Sequence, residues 1–387
     1  MSGLDLLLAI VGGFLALGAL YLLVPAVVAL FYRERAPGVS GEADVVVLVP
    51  AHDEEDTIAH CVQAFESQTY PRERFQVVVI ADNCTDGTAA VAAKAGAEVL
   101  VRNEPDSRGK GRALRWAFDE LLARDEQPDA FVVVDADSTP DPGLLTGLVS
   151  RLEAGAMAVQ GESLIAGDGS PAQELRAAAF LLVNRARPTG RSMLGLPANL
   201  AGNGMLFSRE LLLERPWTAF SSTEDVEYGL SLRAAGIKPV FARGAIVWSP
   251  AAPHGRAAEA QELRWEGGKL HLTRTLAPRL LAKGQVDAAI ELAIPPLGYL
   301  AAGAATVTAA GVVLTWLDVV DSWSVVPAAV ALVTIPVYVV VGLVAAKAPR
   351  AAYVALAHAP GFVLRKALRA HRLLRFKPDS WVRTERR

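Results

Sequence analysis

The chain has 387 residues, of which 52% are hydrophobic and 20% charged, and its formal net charge is −3. That charge excludes a general nucleic-acid binder. Two cysteines, Cys61 and Cys84, are too few for a disulfide framework, lack metal-site spacing and are expected as reduced thiols.

The first element is an uncharged run from Leu6 to Phe31. As a helix it reaches about 39 Å, enough to cross a bilayer with tilt. It is too long for a signal-peptide core and no basic segment precedes it. Residues 1–32 are therefore expected to form a retained transmembrane helix, with Pro25 as a kink point. A charged linker, Arg33 to Asp44, follows. From there short β-rich runs alternate with helical patterns. Strands are predicted at Val45–Val49, Gln76–Ala81, Glu98–Val101 and Phe131–Val134, and helices at Thr57–Gln68, Gly87–Ala95 and Gly111–Leu122. This alternation predicts one α/β domain over residues 45–250, a mainly parallel sheet with helices on both faces. Interfacial helices are expected over 251–285.

Two more uncharged runs, Leu292–Leu317 and Ser322–Ala346, are long enough to span and place two transmembrane helices within 288–346. The acidic linker between them is flanked by Trp316 and Trp323, residues that suit the membrane interface. Ala351–Leu364 is apolar but short and holds Pro360, which favours a helix lying in the interface. With a basic tail it makes up the last region, 350–387. That tail sets Arg365, Lys366, Arg369, Arg372, Arg375, Lys377, Arg383, Arg386 and Arg387 against Asp379 and Glu385, and should bind anionic membrane lipids. Arg33 and Arg35 follow the first span, and Lys347 and Arg350 the third, while the loop between the second and third has no basic residue. The positive-inside rule then places the α/β domain and the tail in the cytoplasm of a multi-pass inner (plasma) membrane protein. High Ala, Gly and Arg usage points to a bacterial origin.

The chemistry sits where the predicted strands end. Phe131–Val134 runs into Asp135-Ala136-Asp137, two carboxylates at the carboxyl end of a buried strand, where open α/β sheets place ligands. A bend at Ser138-Thr139-Pro140 brings both near one cation, and hard oxygen ligands suit Mg²⁺ or Mn²⁺ with a diphosphate. The first strand ends in Val49-Pro50-Ala51-His52-Asp53-Glu54-Glu55. The second ends in Asp82, placed to bond a base or ribose, with Thr85 or Asp86 as the cap of the next helix. Arg108-Gly109-Lys110-Gly111-Arg112 puts a cation at a helix start, a plausible phosphate contact without the P-loop spacing. Thr223-Glu224-Asp225 precedes a helical stretch, Val226–Ala235, and a carboxylate there is a candidate general base. In Gln261-Glu262-Leu263-Arg264-Trp265, Gln261 and Arg264 share a helix face.

In this order the motifs resemble glycosyltransferase family 2, especially membrane-bound members related to cellulose, chitin and hyaluronan synthases. The resemblance runs from about Val45 to Lys269. It rests on Asp82, the Asp135-Ala136-Asp137 triplet, Thr223-Glu224-Asp225, the QxxRW residues Gln261, Arg264 and Trp265, and Gly109-Lys110-Gly111 with Ala113-Leu114. His52-Asp53 stands where the family more often has Tyr-Asn. The resemblance implies a GT-A fold and an inverting, metal-dependent transfer from a UDP- or GDP-sugar. It implies donor contacts from Pro50, Asp53, Glu54, Asp82, Lys110, Asp135, Gln261, Arg264 and Trp265, and Mg²⁺ or Mn²⁺ on Asp135 and Asp137. Asp225 would be the base, and Glu224, Gly202, Asn203 and Trp265 would meet the acceptor. QxxRW in this family accompanies processive synthesis, so a β-linked poly- or oligosaccharide leads as product. Three spans are few for a polymer channel, which keeps single transfer to a lipid acceptor open. A non-catalytic nucleotide-sugar-binding subunit is the further alternative. A Rossmann dehydrogenase is disfavoured, since the first strand lacks GxGxxG.

Overall fold

A computed structural model describes residues 2–33, 38–250 and 256–374. Arg35 and the tail beyond Leu374 lie outside the described residues. Helix α1 (Gly3–Ala29) opens on a capping box between Ser2 and Asp5 and contains Pro25. Next come β1 (Val45–Ala51), α2 (Ile58–Ala64), β2 (Phe75–Asp82), α3 (Thr88–Lys94), β3 (Glu98–Arg102), α4 (Lys110–Leu122) and β4 (Ala130–Val133), the predicted alternation. The chain continues through β5 (Thr139–Pro140), α5 (Leu144–Glu153), β6 (Ala158–Ile165), α6 (Pro171–Leu181), α7 (Arg187–Met193), β7 (Met205–Ser208), α8 (Arg209–Glu214), α9 (Glu224–Ala234) and β8 (Val240–Ser249). The remaining helices are α10 (Arg256–Ala282), α11 (Val286–Ala293), α12 (Leu297–Trp316), α13 (Val326–Ala345), α14 (Arg350–Ala355) and α15 (Ala359–Arg369).

The strands form one sheet in the order β3-β2-β1-β4-β7-β6-β8-β5. From β3 to β4 all neighbours are parallel. Val47, Leu48 and Val49 of β1 are fully buried, with helix-covered cores on both faces, which is why this strand reads as an unbroken apolar run. Each such side chain contributes about 1.5–3 kcal/mol of burial. Beyond β4 the expectation of a mainly parallel sheet fails. β7 runs against β4, β6 against β7, and β5 against β8, while β8 is parallel to β6. Strand β6 escaped the sequence reading because Gln160 and Glu162 interrupt its apolar run. Both are nonetheless buried, and both are bonded: Gln160 to the 201–204 loop, Glu162 to Arg185 and the Gly244 N–H.

Among the described residues, three helices are long and apolar enough to cross a bilayer: Gly3–Ala29, Leu297–Trp316 and Ser322–Ala345. They pack through small residues. A Cβ on Gly12 would sit 2.8 Å from the Ala328 backbone nitrogen, and one on Gly190 would overlap the Pro25 carbonyl. The second long helix starts at Leu297 rather than Leu292, because Pro295-Pro296 ends the separate helix α11. Side chains of α10 satisfy the backbone there: Thr273 Oγ1 donates to the Leu292 carbonyl and Lys269 Nζ to that of Ile294, at 2.8 and 2.7 Å. The stretch Ala351–Leu364 is not one helix. It divides into α14, a 3₁₀ turn at Leu356–His358 and the start of α15, with Pro360 in the first turn of the latter. One core joins the sheet to the long helices, with Leu164 of β6 packing in the same cluster as Leu22, Leu300 and Tyr338.

Candidate active site

Strands β1 and β4 end side by side, and the polar residues that follow them open into a cavity of about 1660 Å³. Its lining includes Pro50, Glu54, Lys110, Asp135, Asp137, Gly202, Asn203, Glu224, Asp225, Gln261, Arg264 and Trp265. Distant parts of the chain are thus brought together as the motifs required. Asp53 and Asp82 are the two expected site residues that do not line it. Asp82 is buried, with Oδ1 accepting from Arg102 Nη1 at 2.6 Å and from Asn83 Nδ2 at 2.9 Å. Asp53 Oδ1 accepts the Thr85 N–H at 2.6 Å, which ties the loop after β1 to the loop after β2. Asp86 Oδ1 accepts the Thr88 N–H at 2.9 Å, but the cap position of α3 is Gly87 rather than Thr85 or Asp86, because the helix begins one residue later than expected.

The Asp135–Asp137 turn is held from below. Asn203, 2% exposed, accepts the Asp135 N–H on Oδ1 at 3.1 Å and donates from Nδ2 to Ser138 Oγ at 2.8 Å and Ser249 Oγ at 3.1 Å. Ser138 Oγ in turn donates to Asp137 Oδ1 at 3.3 Å. The Asn203 amide is therefore engaged with the turn that carries both acids. Gln160, missed in the sequence, fixes the Asn203 loop: Nε2 donates to the Asn203 carbonyl at 2.8 Å and Oε1 accepts the Ala201 N–H at 2.8 Å. Lys110 Nζ donates to Asp135 Oδ1 and to the Gly202 carbonyl, both at 2.5 Å. Burial works against its charge. Asp135, Glu224 and Asp225 outweigh that and hold its pKa above the usual lysine value.

Opposite stand Glu224 and Asp225, at the start of α9. Burial is the larger cause and pushes both carboxyls up; the charge of Asp225 adds to the rise in Glu224, which reaches about 7. Gly202 has φ of +77°, and a Cβ there would lie 3.1 Å from Asp225 Oδ2, so a residue without a side chain leaves the Asp225 carboxyl uncrowded. Helix α10 abuts this loop: a Cβ on Gly268 would sit 2.6 Å from Thr223 Cγ2. The signal for this contact was the Gly267-Gly268 pair inside a helical stretch, a mark of close backbone approach. Trp265, 43% exposed, lies with its ring 6.0 Å from that of Phe180 of α6, an aromatic partner the sequence did not indicate.

The cavity does not end at Trp265. It continues between α6, α12, α13 and α15, where Ala301, Ala302, Ala305, Leu332, Ile335 and Val339 form its walls. One space therefore has an acidic end and an aliphatic end.

The sequence matches the family model described as "Glycosyltransferase like family 2" over residues 43–268. It is 32% identical over 123 residues to a probable glycosyltransferase, YdaM, of Bacillus subtilis, covering 29% of this chain and 28% of that protein. It is 28% identical over 213 residues to the beta-monoglucosyldiacylglycerol synthase of Synechocystis sp., covering 52% of this chain and 43% of that one. The chain thus spans less than half the length of these curated relatives. Among solved structures, the mannosyltransferase PcManGT of Pyrobaculum calidifontis, in complex with GDP-Man and Mn²⁺, aligns with a TM-score of 0.57 and 18% identity over 87% of this chain and 98% of that one. The α/β domain has the GT-A fold, with the mixed sheet described above.

Proposed function

The chain belongs to glycosyltransferase family 2, and on that premise we propose that it transfers a single sugar, with inversion, from a nucleotide-sugar to a lipid acceptor held at the membrane. The observation that carries this reading is the two-ended cavity. A channel for a growing glycan needs hydroxyl-binding and aromatic walls, whereas the walls supplied by α12 and α13 are alanine, leucine, isoleucine and valine with Gly298 and Pro336, and Thr306 is the polar exception among the described lining residues. An acyl or prenyl chain fits such walls. Names of relatives agree in kind: one is a diacylglycerol glucosylating enzyme, and a structural neighbour holds GDP-Man with Mn²⁺. Polysaccharide synthesis, which the QxxRW residues favoured, becomes the second reading.

The donor lies between Pro50, Glu54, Lys110 and the Asp135–Asp137 turn. Asp53 and Asp82 act from behind the wall by fixing the loops after β1 and β2. Two carboxylates from one locked turn, both in the cavity wall, would hold a divalent cation, with Asp135 offering the oxygen that Lys110 does not bond. Mg²⁺ or Mn²⁺ there supplies positive charge against the departing diphosphate. Asp225 takes the proton of the acceptor hydroxyl, Arg264 lends charge near the diphosphate, and Trp265 gives the sugar an apolar face. Attachment to a membrane through α1, α12 and α13, with the α/β domain on the cytoplasmic side, completes the reading.

The test is transfer by purified protein in lipid vesicles with Mn²⁺ or Mg²⁺ and a panel of radiolabelled UDP- and GDP-sugars. Label from one donor should extract into the organic phase. Label in a high-mass, water-soluble product would overturn the lipid reading and restore the polysaccharide one.

A further inference from the structure

The junction between the two ends of the cavity carries ions that are already paired. Lys366 of α15 forms an ion pair with Glu266 of α10, whose Oε2 also accepts from Tyr299 Oη at 3.0 Å. The ammonium lies over the Tyr299 and Phe362 rings, 5.2 and 5.3 Å from their centroids. Across the cavity, Arg176 Nη2 of α6 bonds Glu262 Oε1 at 2.8 Å. Glu262 and Glu266, one turn apart on α10, thus line the cavity already paired with Arg176 and Lys366. The Lys366 and Glu266 side chains are only 13% and 12% exposed.

An anionic headgroup entering here would meet Glu262 and Glu266, and would have to take Lys366 or Arg176 from its carboxylate. Breaking a largely buried pair leaves an uncompensated charge, which is strongly unfavourable. An uncharged headgroup needs no such exchange, and its hydroxyls find acceptors in Glu262 and Glu266. The placement of Asp225 agrees. A phosphate oxygen is already an anion and attacks without a base, whereas a hydroxyl must give up its proton.

Resting on the lipid-acceptor reading above, we propose that the acceptor is an electrically neutral lipid bearing a free hydroxyl, and that the Lys366–Glu266 pair excludes lipid phosphates. In the step itself the acceptor O–H proton passes to an Asp225 carboxylate oxygen. The freed oxygen pair forms a bond to the anomeric carbon while the bond from that carbon to the β-phosphate oxygen breaks. The nucleoside diphosphate leaves with those electrons, and the products are a glycolipid, the diphosphate and one proton.

The experiment compares the full chain in phosphatidylcholine vesicles carrying diacylglycerol, ceramide or a polyprenyl monophosphate, each with the same labelled nucleotide-sugar panel. Transfer to a neutral lipid should exceed transfer to the polyprenyl phosphate at least tenfold. Glu266→Gln, which releases Lys366, should narrow that ratio about tenfold by raising use of the phosphate. Preference of the unaltered protein for the polyprenyl phosphate, or no transfer to either neutral lipid, overturns the inference while leaving lipid transfer standing if the phosphate is labelled. A ratio unmoved by Glu266→Gln in a variant that melts like the parent removes the pair from the explanation and overturns that part. Label only in water-soluble product sinks the lipid reading itself.

Discussion

At the scale of single residues, the site rests on carboxylates held in unfavourable surroundings. Asp225→Asn should lower transfer about 10²–10⁴-fold, the usual range for loss of a general base, and leave nucleotide binding within twofold; loss of binding as well would assign Asp225 to the donor instead. Glu224 makes a sharper test, because its folded pKa of about 7 stands above the value of about 4.3 expected when unfolded. A carboxyl raised on folding costs nothing while protonated in both states and most once pH exceeds the folded value. Glu224→Gln should therefore raise the melting temperature at pH 8, have little effect at pH 4, and reduce activity throughout. An equal change at both pH values would show that burial of this charge is not the cause. Such a trade of stability for chemistry is common at active sites. Acids now found in the cavity wall stood out in the sequence as Asp135-Ala136-Asp137 and Thr223-Glu224-Asp225. The roles of Asn203 and Gln160 beneath the Asp135–Asp137 turn were not legible there, since neither residue belongs to a local pattern.

At the scale of elements, α9 and α10 set Glu224 and Asp225 in the cavity wall. Gly268→Leu should displace α10 from Thr223 and cut activity by more than tenfold in a protein that still purifies as folded; a fully active variant would mean that the contact is slack. The far end of α9 is held by a buried ionic network. Arg233 reaches Asp287 of α11 and Asn199 of the loop before Gly202, and Arg191 of α7 reaches Asp287, Glu291 and the Tyr21 hydroxyl of α1. Burial alone would raise the Asp287 carboxyl, but bonds from Arg191 and Tyr21 and the charges of both arginines bring it down to about 2. Its contribution is complete above the unfolded pKa of about 3.9 and fades as pH falls toward 2. Asp287→Asn should thus destabilise by on the order of 3 kcal/mol at pH 7, and the difference from the parent should shrink with acidification in denaturation measurements. A pH-independent deficit would point to lost packing.

At the scale of the whole molecule, the α/β domain and the long helices share one cavity, and the proposed lipid acceptor would reach it past the walls that α12 and α13 supply. Ala302→Phe should fill that space and suppress transfer to long-chain lipids far more than to a short-chain analogue; equal suppression would place the chain elsewhere. The sequence by itself determined the parallel half of the sheet, the three long apolar helices and the acids at the strand ends. Each of these is written in a local period, whether an apolar run, a charge-free stretch or a polar break after a strand. Only the tertiary structure decided the antiparallel half. Strand β6 carries Gln160 and Glu162, which become core residues once partners from remote segments satisfy them, and β8 carries Arg243, partly buried and bonded to Thr189. Only the tertiary structure also decided which acids reach the cavity, turning Asp82 toward Arg102 and Asp135 toward open space. It alone joined the acidic end to the aliphatic one. Burial, pairing and continuity of space arise between residues far apart in the chain, and no local pattern records them.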